Sequence, residues 1–228
     1  MEIAHLSRGY DPVIFDLDGT LLDTLGDLAA AGNYALAQMG LPAHDTERYK
    51  YFVGNGIPKL IERILPENSS ETDRQTAHAL FAEYYERHKS DRTTPYSGIT
   101  ELLAEMKARG ITAVCCTNKD HKFAAELLEQ FFGDSIAETV GAGRGFPKKP
   151  DPAAVRYLAE KYAHDGHKSL YVGDSSVDMQ TAANAGIDCC GVLWGFRERG
   201  ELEQFSPKYI TESVSGLRSV ILGETAIL

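Results

Sequence analysis

Short runs of apolar, β-forming residues recur along the chain, and each run is bounded by Gly, Asp, Asn or Pro. Such runs, in which polar residues do not alternate, are typical of strands buried on both faces of a parallel sheet. The pattern predicts six strands, which cover residues 12–17, 111–117, 135–141, 169–173, 187–193 and, as a short last strand, 208–211.

Helical periodicity fills the spaces between these runs. The segment 99–109 has its apolar residues on one face and is followed by Gly110, a residue suited to a helix end. Further helices are predicted after an Asp120 cap, after Asp151 with Pro152 as the first helical residue, and over 178–185. Strands that alternate with helices predict an α/β fold: a doubly wound parallel sheet, with a Rossmann-like core.

One region breaks the alternation, because its patterns are helical and contain no convincing strand. Helices are predicted there over 25–39, 46–52, 59–65 and 74–90, with a Gly-Asn-Gly turn before the third. We therefore expect a small all-helical cap domain, residues 23–92, inserted after the first strand of a core formed by 1–22 and 93–228. Such an insert would lie over the carboxyl ends of the strands, where open α/β sheets bind ligands.

Composition and charge narrow the classes of partner. The chain has 33 acidic and 23 basic residues, a net charge of -10, so its field would repel nucleic acid and acidic membrane surfaces. No apolar run is long enough to span a membrane, and the first residues do not resemble a signal peptide. We expect a cytoplasmic protein, either a monomer or a homodimer, that binds a small molecule.

The four cysteines form two adjacent pairs, each inside an apolar run: Cys115-Cys116 and Cys189-Cys190. The four cysteines could instead bind zinc, but neither a C-x2-C spacing nor a histidine pair supports a zinc site. We interpret all four as reduced core residues.

Two carboxylates, Asp16 and Asp18, stand two residues apart where the first strand gives way to a turn. The two-residue period of a strand lets both side chains point toward the same space. An ionised Asp16 needs no base to attack phosphorus, and Asp18 would then handle protons. The simpler alternative is a turn around Gly19, since Asp and Gly commonly end strands.

Polar residues also follow the second and third core strands. Thr117 and Asn118 precede a helix start and would hold phosphoryl oxygens, although the same residues commonly cap helices. Lys148 and Lys149 supply a cation that would offset charge on a phosphoryl group, or form a solvated basic loop. Spacing alone does not decide which lysine points inward.

A further acidic group, Asp174 and Asp178, lies at the end of the fourth core strand and the start of a helix. Carboxylates crowded near a phosphate would repel one another without a cation, and Mg2+ prefers oxygen ligands of this kind. Helix capping by Asp174 or Ser175 is compatible with this interpretation.

Four such motifs at four successive strand ends resemble the haloacid-dehalogenase-like superfamily of phosphatases. The resemblance covers almost the whole chain and implies Asp16 as nucleophile and metal ligand, and Asp18 as acid and base whose backbone oxygen also binds Mg2+. It implies Thr117 and Asn118 as phosphate ligands and favours Lys149 as the residue that neutralises charge. It also implies Asp174 as a metal ligand and a weaker or water-mediated role for Asp178. Gly19 and Thr20 complete the phosphate-binding motif.

The helical insert resembles the cap of phosphoglycolate phosphatases in its Gly54-Asn55-Gly56 loop, as does the Trp194-Gly195-Phe196 segment. This likeness implies 2-phosphoglycolate as the substrate, with the cap loop and Lys59 near it. Lys59 and Arg63 would either meet a substrate carboxylate or face solvent.

Other members of the superfamily stay open as alternatives: pyrophosphatase, nucleotidase, sugar-phosphate phosphatase and phosphoglucomutase. A dehalogenase has little use for Asp18 or Asp174, and a phosphonoacetaldehyde hydrolase needs a cap lysine, for which Lys50 and Lys59 are the candidates. A non-catalytic phospho-acceptor domain has little use for Asp18 or a cap.

Overall fold

The computed structural model describes residues 9–224. Residues 1–8 and 225–228 lie outside the described residues. They include most of the N-terminal segment that was compared with a signal peptide, and both ends of the expected core. The strands are β1 Tyr10–Phe15, β2 Leu22–Asp23, β3 Thr94–Pro95, β4 Ala113–Asp120, β5 Thr139–Ala142, β6 Lys168–Gly173, β7 Asp188–Val192 and β8 Tyr209–Thr211. The helices are α1 Leu25–Gln38, α2 Tyr49–Phe52, α3 Ile57–Ile64, α4 Glu71–His88, α5 Ile99–Ala108, α6 His121–Phe132, α7 Ala153–Lys161, α8 Ser176–Ala185, α9 Arg199–Glu203 and α10 Val214–Leu222.

The six predicted strands form one parallel sheet in the order β5-β4-β1-β6-β7-β8. Alternate residues of the central strand point to opposite faces: Val13 and Phe15 pack with α5, α6 and α10, whereas Ile14 packs with α7, α8 and α9. Helices therefore cover both faces, and the predicted doubly wound α/β fold is confirmed.

The cysteines follow the same alternation. Cys115 belongs to one core layer and Cys116 to the other, while Cys189 and Cys190 are divided in the same way. All four are buried free thiols, as predicted. The two adjacent pairs thus reflect a strand buried on both faces.

Helices α1 to α4 lie between β2 and β3 and bury a separate apolar cluster. Leu36, Tyr49, Ile61 and Phe81 are among its fully buried side chains. Phe123 of α6 and Phe196 also pack into this cluster. The helical segment therefore contacts the domain that contains the six-stranded sheet. The limits 23–92 for a cap domain stay a prediction.

Several predicted boundaries are wrong by a few residues. The first residue of the 74–90 helix is Glu71, because Ser70 and Asp73 form a reciprocal capping box. Pro152, not Asp151, is the N-cap of α7, and Asp151 accepts from the Ala153 N–H at 2.9 Å. The predicted 46–52 helix is a 3-10 turn at Thr46–Arg48 followed by α2. The two-residue strands β2 and β3, which pair antiparallel, were not predicted.

Candidate active site at the carboxyl edge of the sheet

The polar strand-end residues surround a cavity of about 40 Å3 between the sheet and the helical segment. The core contributes Asp16, Asp18, Thr117, Asn118, Lys119, Asp174, Ser175, Phe196 and Arg197 to its lining. The helical segment contributes Leu28, Val53, Gly54, Gly56, Ile57, Leu60 and Tyr85. One wall is therefore charged and the other is largely apolar.

Three buried carboxylates stand together at this edge. Asp16, Asp174 and Asp178 each offer an oxygen within 4.8 Å of the others. Burial raises the pKa of Asp16 to about 6, with Lys149 opposing the shift and Asp178 adding to it. Burial, followed by the charges of Asp178 and Asp16, also raises the pKa of Asp174 well above its usual value. The cluster has more negative charge than its surroundings offset.

Lys149 supplies the cation inside this cluster. Its Nζ lies 2.9 Å from Asp16 Oδ1 and 2.7 Å from Asp178 Oδ1, and it donates to the Tyr171 hydroxyl at 3.0 Å. Burial alone would lower the pKa of Lys149, but the two carboxylates outweigh it and raise that pKa. Lys148 lies elsewhere, against Gly56 of the helical segment.

Asp178 is fully occupied by protein donors. Its Oδ2 accepts from the Ser175 N–H at 3.0 Å and from Ser175 Oγ at 2.6 Å, as part of the capping box of α8. Its Oδ1 accepts from Lys149 and from the Tyr171 hydroxyl. Asp178 therefore holds the Lys149 ammonium in place through its Oδ1.

Asp174 is held by close backbone packing. Its Oδ2 accepts from the Phe196 N–H at 2.7 Å, and a Cβ at Gly19 or Gly195 would lie only 2.3 to 2.4 Å from that oxygen. Thr20 is fully buried, and its hydroxyl faces Asp174 Oδ1 at 3.4 Å. Gly19 and Thr20 thus pack around Asp174, although the sequence predicted them as phosphate ligands.

The cluster fits a divalent cation. Asp16 Oδ1 is buried, and among residues 9–224 its close polar contact is the ion pair with the Lys149 ammonium at 2.9 Å. Three carboxylates against one lysine leave negative charge that hard oxygen-seeking cations balance. Asp16 and Asp174 are the residues with oxygens available for such an ion.

Asp18 has two protein partners that fix its orientation. Its Oδ1 accepts from Thr24 Oγ1 at 2.7 Å and from Lys119 Nζ at 2.8 Å. Lys119 is buried and lines the cavity, and Thr117 accepts from its backbone N–H at 3.2 Å. Lys119 was not predicted as a site residue, although it directly follows the predicted Thr117-Asn118 pair.

Asn118 joins three segments through its side-chain amide. Its Nδ2 donates to Gly54 O at 3.0 Å and to Lys149 O at 3.2 Å, while its Oδ1 accepts from the Lys149 N–H at 2.8 Å. Both ends of the amide are therefore engaged within the protein. Thr117 retains a hydroxyl proton that its contact with Lys119 does not use.

The structure separates the predicted members of the cap loop. Gly54 and Gly56 line the cavity, whereas Asn55 and Lys59 do not. Asn55 accepts from Arg63 at 2.9 Å, and Lys59 pairs with Glu62 on the surface. Of the two alternatives for Lys59, the structure favours the solvent-facing one.

Arg197, which was not predicted, connects the core to the helical segment. It donates to the carbonyl of Lys50 and, at 3.0 Å, to that of Val53. Its Nε lies 3.3 Å from Glu201, which anchors it to α9. The nearby Trp194-Gly195-Phe196 segment was the available sequence signal, but the partner carbonyls depend on docking of the helical segment.

Comparison with known proteins identifies the family. The model of the haloacid dehalogenase-like hydrolases matches residues 13–192. A phosphoglycolate phosphatase of Vibrio parahaemolyticus is 35% identical over 216 residues, covering 92% of this chain and 95% of that protein. A phosphoglycolate phosphatase from Vibrio cholerae is 36% identical over 223 residues, which cover 92% of this chain and 96% of that protein. The crystal structure of a predicted phosphoglycolate phosphatase from Haemophilus somnus superposes with a TM-score of 0.85 at 28% identity, covering 92% of this chain and 97% of that one. The chain belongs to the haloacid dehalogenase-like hydrolase family.

Proposed function

We propose that the chain hydrolyses 2-phosphoglycolate to glycolate and phosphate, with Mg2+ and through a phospho-aspartyl intermediate. The family and the phosphatase relatives make it a phosphoric monoester hydrolase. The observation that carries the mechanism is Asp16, whose buried Oδ1 lies 2.9 Å from the Lys149 ammonium and has no other polar partner among residues 9–224.

In the first step Asp16 attacks phosphorus, and the bond between phosphorus and the ester oxygen breaks. Asp18 donates its proton to the departing oxygen, so the alcohol leaves neutral. In the second step Asp18 takes a proton from the attacking water, phosphate departs, and Asp16 is regenerated. Lys149 stabilises charge on the phosphoryl oxygens, and the Thr117 hydroxyl is available to donate to one of them.

Asp16, Asp174 and the backbone oxygen of Asp18 would hold the Mg2+ ion. When bound, the ion supplies positive charge that offsets the phosphoryl oxygens and the carboxylates. The mutual proximity of Asp16, Asp174 and Asp178 supports a divalent cation at this place. Asp178 contributes by orienting Lys149.

The cavity favours a small substrate. Its volume of about 40 Å3 corresponds to a few water-sized groups, so any phosphorylated substrate requires the helical segment to move, and a nucleoside or a sugar requires the larger movement. The relatives named above act, by their names, on phosphoglycolate. Lys50 and Lys59, the Schiff-base candidates, are paired with Glu47 and Glu62 and do not line the cavity, which disfavours phosphonoacetaldehyde hydrolysis.

Among residues 9–224, no helix is both long and apolar enough to cross a bilayer. The proposed partner is a small phosphorylated metabolite. A cytoplasmic location, the absence of nucleic-acid partners and a monomeric or homodimeric state stay predictions.

Initial rates with a substrate panel test this function. The panel contains 2-phosphoglycolate, pyrophosphate, nucleoside monophosphates and sugar phosphates, each with Mg2+ and with a chelator. We expect 2-phosphoglycolate to dominate and the chelator to abolish turnover. If another ester is turned over fastest with Mg2+, that ester is the substrate and the assignment of 2-phosphoglycolate is wrong. Turnover that persists in chelator would refute the metal-dependent mechanism.

A further inference from the structure

Two polar groups in the cavity have bonding capacity that the protein does not use. Lys119 is 5% exposed, and among residues 9–224 its ammonium donates to Asp18 and lies beside the Tyr85 hydroxyl, so at least one of its three donor hydrogens is unused. Tyr85 is fully buried, and its hydroxyl, which lies beside the Lys119 ammonium, makes no other hydrogen bond within the same described range. Groups buried in this state require a partner, and a ligand supplies one.

Lys119 and Tyr85 lie side by side, one on the core and one on the helical segment. The Lys119 Nζ lies 4.9 Å from the centre of the Tyr85 ring, and both residues line the cavity. We infer that Lys119 and Tyr85 form a binding subsite for a carboxylate on the leaving group of the substrate. This inference rests on the proposed function and names the residues that would select its substrate.

The spacing between the subsite and Asp18 sets the length of the leaving group. Lys119 Nζ contacts Asp18 Oδ1 at 2.8 Å, and Asp18 is the proposed proton donor to the ester oxygen. A carboxylate bound by Lys119 therefore lies close to that oxygen. In 2-phosphoglycolate a single methylene separates the two groups, so the substrate matches the contact.

Of the other basic side chains at or beside the cavity, Arg197 and Arg63 are already engaged, and Lys148, beside Gly56, does not line it. Arg197 holds the carbonyls of Lys50 and Val53 and pairs with Glu201. Arg63 holds the Phe52 carbonyl at 2.9 Å and the Asn55 side chain. Lys119 is thus the cation on the cavity wall with donors to spare for an anion.

The second phosphate of pyrophosphate is the other anion that would fit beside Asp18. One ammonium and one neutral phenol match the single negative charge of a carboxylate better than the higher charge of a phosphate group. The subsite is therefore assigned to the carboxylate, and pyrophosphate serves as a separate arm of the test.

The test compares 2-phosphoglycolate with ethyl phosphate, which has the same chain length and no carboxylate. In Lys119→Met, kcat/KM for 2-phosphoglycolate should fall about 100-fold more than for ethyl phosphate, because a charge-assisted contact is lost. In Tyr85→Phe, which keeps the ring, it should fall about 5- to 10-fold while ethyl phosphate stays within about twofold. Lys107→Met removes an exposed lysine on α5 and should change neither rate.

The ratio between the two esters separates binding from any effect of Lys119 on Asp18, because a disturbed Asp18 slows both esters alike. Equal losses for both esters in Lys119→Met and in Tyr85→Phe would overturn the subsite while leaving the proposed function intact. A wild-type rate on 2-phosphoglycolate no higher than on ethyl phosphate would overturn both. A selective loss of pyrophosphate turnover in Lys119→Met would reassign the subsite to a second phosphate. Far-UV circular dichroism of each variant confirms that it has folded.

Discussion

Carboxylates stand at both ends of the six-stranded sheet, but their partners differ. At the amino end, Asp188 accepts from Lys208 at 2.6 Å and from the Tyr10 hydroxyl at 2.7 Å. Glu138, before β5, accepts from Arg144, Lys161, Tyr157 and Tyr162. Burial alone would raise the pKa of each of these two carboxylates, yet their donors lower it below the ordinary value.

At the carboxyl end the balance is reversed. Burial raises the pKa values of Asp16 and Asp174, and Lys149, the one cation in contact with Asp16 and Asp178 within the described chain, does not offset it. The same residue types in the same sheet therefore serve two purposes. Where donors match acceptors, the carboxylate stabilises the fold. Where they do not, negative charge remains that a bound cation would offset.

The largest expected effect is on turnover. Asp16→Asn should lower kcat by at least about 10^4-fold, because the amide is a poor nucleophile toward phosphorus. Glu138→Gln makes the same charge change at the other end and should leave kcat within about twofold. Mg2+-dependent rates on 2-phosphoglycolate measure both, and retained turnover in Asp16→Asn would remove the nucleophile assignment.

A smaller loss is expected at the proton donor. Asp18→Asn should lower kcat by about 10^2- to 10^4-fold, the usual contribution of general acid–base catalysis. The carboxylates of Asp16 and Asp174 stay in place, so Mg2+ should still raise the melting temperature of this variant. Loss of that Mg2+ response would instead make the Asp18 side chain part of the cation site.

Removing one carboxylate charge should change the free energy of unfolding in opposite directions at the two ends of the sheet. In chelator at pH 7.5, Asp16→Asn should raise the free energy of unfolding by up to about 3 kcal/mol, because a pKa raised by about two units disfavours the ionised form. Glu138→Gln should lower it by about 1 to 2 kcal/mol through weakened hydrogen bonds to charged donors. Urea unfolding measures both, and equal signs would contradict the contrast between the two ends.

The smallest effect is the pH dependence of that difference. Asp16 has a pKa near 6 when folded and near 4 when unfolded, so the folded chain binds more protons between these values. Without a cation, the contribution of Asp16 to the free energy of unfolding should therefore fall as the pH rises from about 4 to 6, then level off. Urea unfolding of wild type and Asp16→Asn at pH 4.5 and 7.5 measures it, and a constant difference between the two proteins would refute it.

The sequence predicted the sheet and its polar edge because both depend on local patterns. Short apolar runs mark strands buried on both faces, and polar residues at their ends meet at one edge of a parallel sheet. Three features of the site depend on how the helical segment packs against the core. They are the hydrogen bond from Asn118 to the Gly54 carbonyl, the hydrogen bond from Arg197 to the Val53 carbonyl, and the burial of Lys119. Such contacts join residues far apart in sequence and leave no periodic signal. The strands β2 and β3 are too short to show a period.

The pairing of β2 with β3 brings the two ends of the helical segment together. Asp23 faces Thr94 across an antiparallel pair, so the chain leaves and re-enters the sheet domain at neighbouring points. Antiparallel partners lie about 5 Å apart, a gap that a two-residue turn closes. A different helical segment could therefore be joined at this junction without a change in the order or register of the sheet strands.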